Sequence, residues 1–372
     1  MNYNQAMLAL KQAKGLGPVL TKRIVDHFKN NLAMLWESSP EEIRSIQGIS
    51  VALQKAIFSV DWQKASQEEE FIRKSGIQMI CYGQENYPEQ LKNIYDPPPI
   101  LYQKGTWKSE DNQSIAIVGT RKASHYALKQ AYSFAQEMGK RGITVVSGLA
   151  RGIDIAAHRG AIAGGGRTIA VLGSGIQCIY PPEHWQDANR IVENGCLVSE
   201  YTPQTSPEAF HFPERNRIIS GLSLGILVIE AGIKSGAIIT AHVALEQGKE
   251  IFALPGNIDN LQTQGCHRLI QQGAKLVTNV DEILEEILPL QSKILPSPET
   301  QEQIIPVSDE EKAIWEILSE CPQPLDTIAY KSPLPPSTTA AKLLVMEMKG
   351  IVELFPGQKY ARKSSAKLQN RD

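Results

Sequence analysis

The stretch that decides the fold is Ser114–Gly175, SIAIVGTRKASHYALKQAYSFAQEMGKRGITVVSGLARGIDIAAHRGAIAGGGRTIAVLGSG. It contains three short apolar runs, Ile115–Val118, Ile143–Ser147 and Thr168–Leu172, and each run leads through a glycine-bearing turn into a helical pattern. Apolar strands that alternate with helices are typical of a parallel α/β sheet, and glycine turns at helix starts are common phosphate sites. The stretch therefore predicts an α/β protein with a phosphate-containing ligand.

The first glycine turn, Gly119-Thr120-Arg121, precedes Ser124, which is a candidate N-cap. Gly119 lets a ligand approach the backbone, and the free N–H groups of the helix start attract an anion. Arg121 adds a planar, positively charged guanidinium that can donate two hydrogen bonds to one phosphate. The alternative is that Gly119 makes only a tight turn and that Arg121 is a solvated charge.

The second turn, Ser147–Asp154, repeats this pattern and adds Gly148 and Arg151 as candidate contacts. Asp154 and His158 are four residues apart and share a helix face, which suggests an acid/base pair or a metal site. No third ligand or nucleophile follows at a matching spacing. We therefore interpret the pair as structural hydrogen-bonding groups and predict no metal.

Positive charge is concentrated in this part of the chain. Residues 114–170 contain eight Lys and Arg against two acidic residues, a net charge of +6, whereas the whole chain has a formal net charge of −2. A local basic excess on a near-neutral protein indicates a positive groove rather than general basicity.

Length and composition set wider limits. The 372 residues suggest two or three domains, and a hydrophobic content of 42% is enough for a globular core. No signal-peptide pattern and no apolar stretch of about 18 residues occurs, so we predict a cytoplasmic protein without a membrane role. The five cysteines are scattered and lack a C-x-x-C spacing, which indicates neither a disulfide framework nor a zinc site.

The chain divides into five predicted segments. Residues 1–65 have two glycine turns between helices, as in a small helix-hairpin-helix or SAM-like domain, although a bundle that only packs is equally consistent. Residues 66–288 alternate strands and helices and predict a doubly wound, mostly parallel, Rossmann-like sheet. Residues 289–307 form a Pro-rich linker, residues 308–363 a winged helix, and residues 364–372 a basic tail.

The sequence of the winged helix does not decide what the domain contacts. Its predicted recognition helix, residues 337–349, carries only Lys342 and Lys349 against Glu347. Contact with a protein and reading of DNA are therefore both consistent with the sequence.

Two later segments add candidate contacts. The segment 210–217 reads FHFPERNR, with a helix predicted from Arg215, and combines aromatic rings with two arginines, which suits base stacking beside phosphates. The segment 230–236 reads EAGIKSG and opens a helix with glycines, a lysine and a hydroxyl. The candidate contacts are Phe212, Arg215, Asn216 and Arg217, followed by Lys234, Ser235 and Gly236.

Dinucleotide binding is the obvious competing interpretation. The turn at Gly119 lacks the G-x-G-x-x-G spacing, Gly173-Ser174-Gly175 has no third glycine in register, and no Walker A lysine pattern occurs. These differences disfavour a nicotinamide enzyme or a P-loop ATPase, and we predict no cofactor.

At this point a family resemblance becomes visible. In chain order, IAIVGTR, SGLARGIDIAAH, TIAVLGSGI, SEY, FPERNRIISGLS, VIEAGIKSGAIITA and ALPGNI closely resemble the DNA processing protein A family, DprA/Smf. The resemblance covers about residues 70–285, and both flanks resemble terminal domains found in some members. It implies a non-catalytic protein that binds single-stranded DNA, forms a homodimer and delivers the strand to the RecA recombinase in natural transformation.

The resemblance also implies site residues. The positions that match the family motifs are Arg121, Phe212, Arg215 and Arg217. Some members place a lysine where this chain has Ala209 or Pro182, so those subsidiary contacts are not carried over.

An enzyme is the alternative from another class. Rossmann-like proteins of the lysine-decarboxylase-like group process nucleotides, and Glu230 with the turn Gly232–Gly236 faintly resembles their acidic, glycine-rich site. The chain lacks their P-G-G-x-G-T signature. We therefore predict a protein that is not an enzyme.

Overall fold

The structure is a computed structural model, and it describes residues 2–28, 31–293, 303–305, 308–319, 322–349, 351–355, 357–362 and 366–368. The chain forms two compact units, residues 1–294 and 295–372. The boundary expected at residue 65 lies inside the helix Trp62–Lys74. A separate folding unit for residues 1–65 stays a prediction.

Helices precede the sheet of the first unit. They are α1 (Tyr3–Gln12), α2 (Pro18–His27), α3 (Ala33–Glu37), α4 (Pro40–Ser45), α5 (Val51–Phe58) and α6 (Trp62–Lys74). Their starts follow local chemistry, since Asn2 forms a capping box with Gln5, Pro18 occupies the first position of α2, and Ser50 caps α5. The helical N-terminal region is therefore encoded by its caps as well as by its apolar pattern.

The sheet has nine strands in the first unit's described residues. They are β1 (Gln78–Cys81), β2 (Ile100–Gly105), β3 (Ser114–Val118), β4 (Thr144–Ser147), β5 (Thr168–Val171), β6 (Gly195–Ser199), β7 (Gly225–Val228), β8 (Glu250–Ala253) and β9 (Lys275–Leu276). The intervening helices are α7 (Glu89–Lys92), α8 (His125–Lys140), α9 (Ile153–Ala163), α10 (Trp185–Glu193), α11 (His211–Leu222), α12 (Gly236–Glu246), α13 (Gln264–Gln271) and α14 (Asp281–Glu286).

The strand order creates a switch point. The order is β1-β2-β6-β5-β4-β3-β7-β8-β9, in which β3 pairs in parallel with β4 on one side and with β7 on the other. Ala116, for example, lies between Val146 and Ile226. Strands β1 and β2 pair antiparallel, and β2 pairs antiparallel with β6. The doubly wound, mostly parallel sheet is confirmed, and ligands of such sheets bind where the winding reverses.

Burial explains why these runs are strands. All residues of β3 and β4 are buried, as expected for strands covered by helices on both faces. Helices α8 and α9 lie against one another so closely that a Cβ at Gly160 would collide with the Tyr132 carbonyl. The small residues of the sequence therefore set how tightly the helices cover the switch point.

Two local predictions were wrong. Helix α11 begins at His211 rather than Arg215, because Pro213 is tolerated in a first turn, where no intrahelical N–H bond is required. Helix α10, Trp185–Glu193, was not predicted. Both corrections move side chains that bear on the site.

The second unit is the expected winged helix. It contains β10 (Gln303–Ile305), α15 (Asp309–Ile317), β11 (Gln323–Pro324), α16 (Leu325–Lys331), α17 (Pro336–Met348), β12 (Val352–Phe355), β13 (Lys359–Arg362) and β14 (Ala366–Leu368). The three strands β11, β13 and β12 form its sheet. Its own core includes Ile314, Ile328, Leu343 and Met346. The linker predicted at 289–307 and the tail at 364–372 lie largely outside the described residues.

No helix in the described parts of the chain combines the length and the apolar character that crossing a bilayer requires.

Candidate nucleic-acid interface

A cleft of 620 Å³ lies at the carboxyl edge of the sheet. Its walls come from the turns after β3, β4 and β5, from helix α11, and from the start of α12. This is the switch point between β3 and β7, where the topology predicts a ligand. Of the predicted contacts, the cleft is lined by Gly119, Arg121, Phe212, Arg215, Asn216, Ser235 and Gly236.

An arginine and two aromatic rings stand together in the cleft. The guanidinium carbon of Arg121 lies 5.1 Å from the centre of the Phe212 ring, and the rings of Phe212 and Tyr180 are 5.6 Å apart. Arg121 is exposed, and no described residue gives it a carboxylate partner. The Phe212 ring requires glycine at position 173, because a Cβ there would lie 2.8 Å from it. The cleft thus offers an exposed cation, which makes no salt bridge within the described residues, beside rings that can stack.

Arg215 lies deeper than predicted. Arg215 is only 3% exposed, and its Nη1 donates to the Gly148 carbonyl at 2.9 Å and to the Val171 carbonyl. Burial lowers the pKa of Arg215 to about 10. Gly148 is buried outside the cleft, and a Cβ there would lie 2.5 Å from the guanidinium. Arg215 therefore joins the ends of two strands, and Gly148 makes room for it.

Asp154 and His158 do not bond to each other. Asp154 lines the cleft and accepts a hydrogen bond from the Ala150 N–H at 3.3 Å, and its pKa is raised by burial although Arg215 opposes that shift. His158 bonds through Nδ1 to the Thr168 hydroxyl at 2.7 Å, and burial lowers its pKa to about 3. Each group has its own structural bond, and neither is arranged for acid/base work with the other.

A carboxylate of the protein itself lies at the start of α8. Glu230, which is buried, accepts from the Ser124 N–H and from the Ser124 hydroxyl, each at 2.8 Å. Its backbone carbonyl accepts from the Thr120 N–H at 2.7 Å. The Ser124 N–H is therefore already satisfied by a carboxylate of the protein, and the binding of a ligand phosphate at this helix start stays a prediction. Thr120 is buried against this network rather than open to the cleft.

Two predicted arginines lie outside the cleft and already have carboxylate partners. Arg217 pairs with Glu200 at 2.6 Å and with Asp96 at 3.0 Å. Residues two apart on a helix point in different directions, so Arg215 and Arg217 cannot both face the cleft. Arg151 is exposed and pairs with Glu183 at 2.5 Å.

The start of α12 is the more open helix start at the cleft. Ser235 and Gly236 line the cleft, and the Ser235 hydroxyl accepts from the Ala237 N–H at 3.3 Å. Lys234 is exposed in the same turn but does not line the cleft. This turn has the glycine and the hydroxyl group that are typical of a phosphate site at a helix start.

The winged helix has its own distribution of charge. Lys342 pairs with Glu310 and Lys349 with Glu311, each at 2.8 Å. The exposed side chains of α17 include Leu344 and Met348, which are apolar. Both predicted lysines of the recognition helix are thus compensated within the domain.

Comparison with known proteins gives a consistent result. The family model described as DNA recombination-mediator protein A matches residues 78–288, and the DprA winged helix domain model matches residues 297–358. Protein Smf of Synechocystis is 35% identical over 97% of this chain and 100% of that protein. The DNA processing protein DprA of Bacillus subtilis is 44% identical over 58% of this chain and 73% of that protein.

Two solved structures share the fold. The X-ray structure of DNA processing protein A from Streptococcus pneumoniae has a TM-score of 0.66 and 34% identity, covering 76% of this chain and 98% of that one. A Helicobacter pylori DNA processing protein A, solved for its single-stranded DNA binding mode, has a TM-score of 0.52 and 30% identity, covering 57% of this chain and 96% of that one. The family model covers more than half of this chain, and the Synechocystis protein matches it over nearly its whole length. The chain therefore belongs to the DprA/Smf family of DNA processing proteins.

Proposed function

We propose that the protein binds single-stranded DNA in the switch-point cleft, protects it, and loads the RecA recombinase on it during natural transformation and recombination. The observation that carries the proposal is the exposed Arg121, which makes no salt bridge within the described residues, beside the Phe212 ring in that cleft. The Helicobacter pylori relative with a single-stranded DNA binding mode supports it.

The cleft chemistry matches an unpaired strand. The Phe212 and Tyr180 rings stack on bases that are not paired, and the Arg121 guanidinium bridges phosphate oxygens with directed N–H donors. The start of α12 at Ser235 and Gly236 adds backbone donors for a further phosphate. In a duplex the base faces are covered by their neighbours, so the rings gain nothing from it.

The first prediction is a preference for single strands. A labelled oligonucleotide should bind at least about tenfold more tightly, or about 1.4 kcal/mol, as a single strand than as a duplex of equal length at physiological salt. The measurement is fluorescence anisotropy over a series of salt concentrations, because phosphate contacts give a log–log slope of about 0.7 per neutralised phosphate. Equal affinity for both forms would contradict the proposal.

The proposed loading of RecA acts on the same single-stranded DNA that binds in the cleft. With a single-strand-coating protein bound first, addition of this protein should allow RecA to form filaments, whereas RecA alone should not. The proposal that RecA is the partner rests on the family resemblance alone.

We also propose a homodimer formed through an apolar patch, which we call the edge patch and which consists of Ile233, Ile258 and Leu261. All three are exposed, Leu261 to 70%, and the Leu261 carbonyl lies beside Gly232. Large exposed apolar side chains are a common component of interfaces between copies of a chain. Light scattering at micromolar concentration should give a dimer for the wild type and a monomer for Leu261→Glu. A wild-type monomer, with or without DNA, would rule out the dimer.

We propose that the protein acts in the cytoplasm and without catalysis. Asp154, which lines the cleft, accepts from Ala150 and lies beside Arg215, and Glu230 accepts from Ser124. Base released from nucleotides on incubation would instead favour the nucleotide-processing alternative. The apolar face of α17 supports contact with a protein as the role of the winged helix.

A further inference from the structure

A second, smaller cavity has an exposed tryptophan among its lining residues. The cavity measures 220 Å³, and Trp185, the first residue of α10, is 60% exposed. The other four tryptophans, at positions 36, 62, 107 and 315, are only partly accessible. An isolated exposed aromatic ring is not unusual by itself, so its surroundings decide what it does.

Polar side chains that are free to contact a ligand line the cavity beside Trp185, together with apolar ones such as Ile176 and Leu197. Lys104, Gln177 and Asn189 line the same cavity, and within the described residues none of these side chains has a hydrogen-bond or ion-pair partner. No carboxylate lines the cavity. An indole face, two amides and one ammonium group are the chemistry that recognises a nucleotide, because they supply a stacking surface, donors and acceptors for a base edge, and a cation for phosphate.

One loop contributes residues to both the cleft and the second cavity. Tyr180 lines the cleft, whereas its neighbour Ile179 and the nearby Gln177 line the second cavity. A single 3₁₀ turn, Pro182–His184, then leads from this loop to Trp185. Trp185 thus lies five residues after Tyr180 in the chain, and the proposed path of a strand follows this segment out of the cleft.

We propose that this cavity is a second single-strand subsite, in which the Trp185 ring stacks on one unpaired base and Lys104 holds the adjoining phosphate. The inference rests on the proposed function, since it extends the path of a strand bound in the cleft. Glu183, the acidic residue two positions before Trp185, pairs with Arg151 and leaves the positive character of Lys104 in place.

The test compares variants on strands of two lengths. Trp185→Ala should weaken binding of a strand of about 12 nucleotides about tenfold and leave a strand of about 4 nucleotides, which fills only the cleft, within about twofold of wild type. Trp185→Phe should restore most of the affinity, because it keeps a ring. Tyr95→Ala is the matched control, since Tyr95 is an exposed aromatic residue that lines neither cavity.

Tryptophan fluorescence gives a second readout. The long strand should protect Trp185 from iodide quenching, and Trp185→Phe should remove that protected signal. Equal affinity of Trp185→Ala and wild type for the long strand overturns the subsite alone, as does an equal loss for both lengths or an effect confined to self-association. A wild-type protein that binds no single strand at all overturns the proposed function and the subsite with it.

Discussion

Arg121→Glu is expected to weaken single-strand binding more than tenfold while the thermal unfolding midpoint hardly changes. The side chain is exposed and has no carboxylate partner among the described residues, so folding does not depend on its charge. Exposed substitutions usually change stability by less than about 0.5 kcal/mol. Binding loses a phosphate contact and gains a repulsion, and the salt slope should fall by roughly 0.7 for each lost phosphate.

Lys122→Glu is the matched control for this variant. Lys122 is the next exposed cation in the chain, but it does not line the cleft. The same change in net charge should therefore weaken binding much less than at Arg121, and the difference isolates the position of the guanidinium. Wild-type affinity in a folded Arg121→Glu variant would move the DNA site away from this turn, and an unfolded variant would show that Arg121 supports the fold.

The strands around the switch point could be predicted because their signal is local. Apolar runs bounded by glycines at β3, β4 and β5 are sufficient to indicate buried parallel strands. The location of a ligand at their carboxyl ends then follows from the topology alone. Arg121 was chosen as a candidate for the same reason, since it lies in the turn that follows β3.

The two arginines of α11 show what the sequence does not reveal. The spacing of Arg215 and Arg217 invites the interpretation that both serve one phosphate chain. Their roles separate only when the helix start at His211 is known, because helical geometry then turns one inward and the other towards Glu200. A motif identifies the segment, but the helix phase decides which side chain reaches the ligand.

Glu230 could not be assigned for a different reason. It follows β7, more than one hundred residues after Ser124, and meets it only because β7 pairs with β3. The available signal was an acidic residue at the end of an apolar strand next to the switch point. Without the strand order, the sequence does not indicate at which helix start this carboxylate accepts hydrogen bonds.

Arg215→Met is expected to have the opposite effect to Arg121→Glu, with a loss of folding stability of about 3–5 kcal/mol. The change keeps the volume of the side chain but removes the donor to the Gly148 and Val171 carbonyls and the cation beside Asp154. Because a domain is stable by only about 5–15 kcal/mol, chemical denaturation should register a large shift of the midpoint. DNA binding would then fall through loss of the folded cleft.

The dependence of this loss on pH tests its cause. Burial already raises the pKa of Asp154, and without Arg215 beside it that pKa should rise further. A carboxyl group whose pKa is raised in the folded state favours folding less as the pH increases above its unfolded pKa of about 3.9. The deficit of Arg215→Met should therefore grow as the pH rises from about 4, and Asp154→Asn in the same chain should recover part of it. If Arg215→Met unfolds like the wild type and loses only DNA affinity, Arg215 is a phosphate ligand rather than a buried strut.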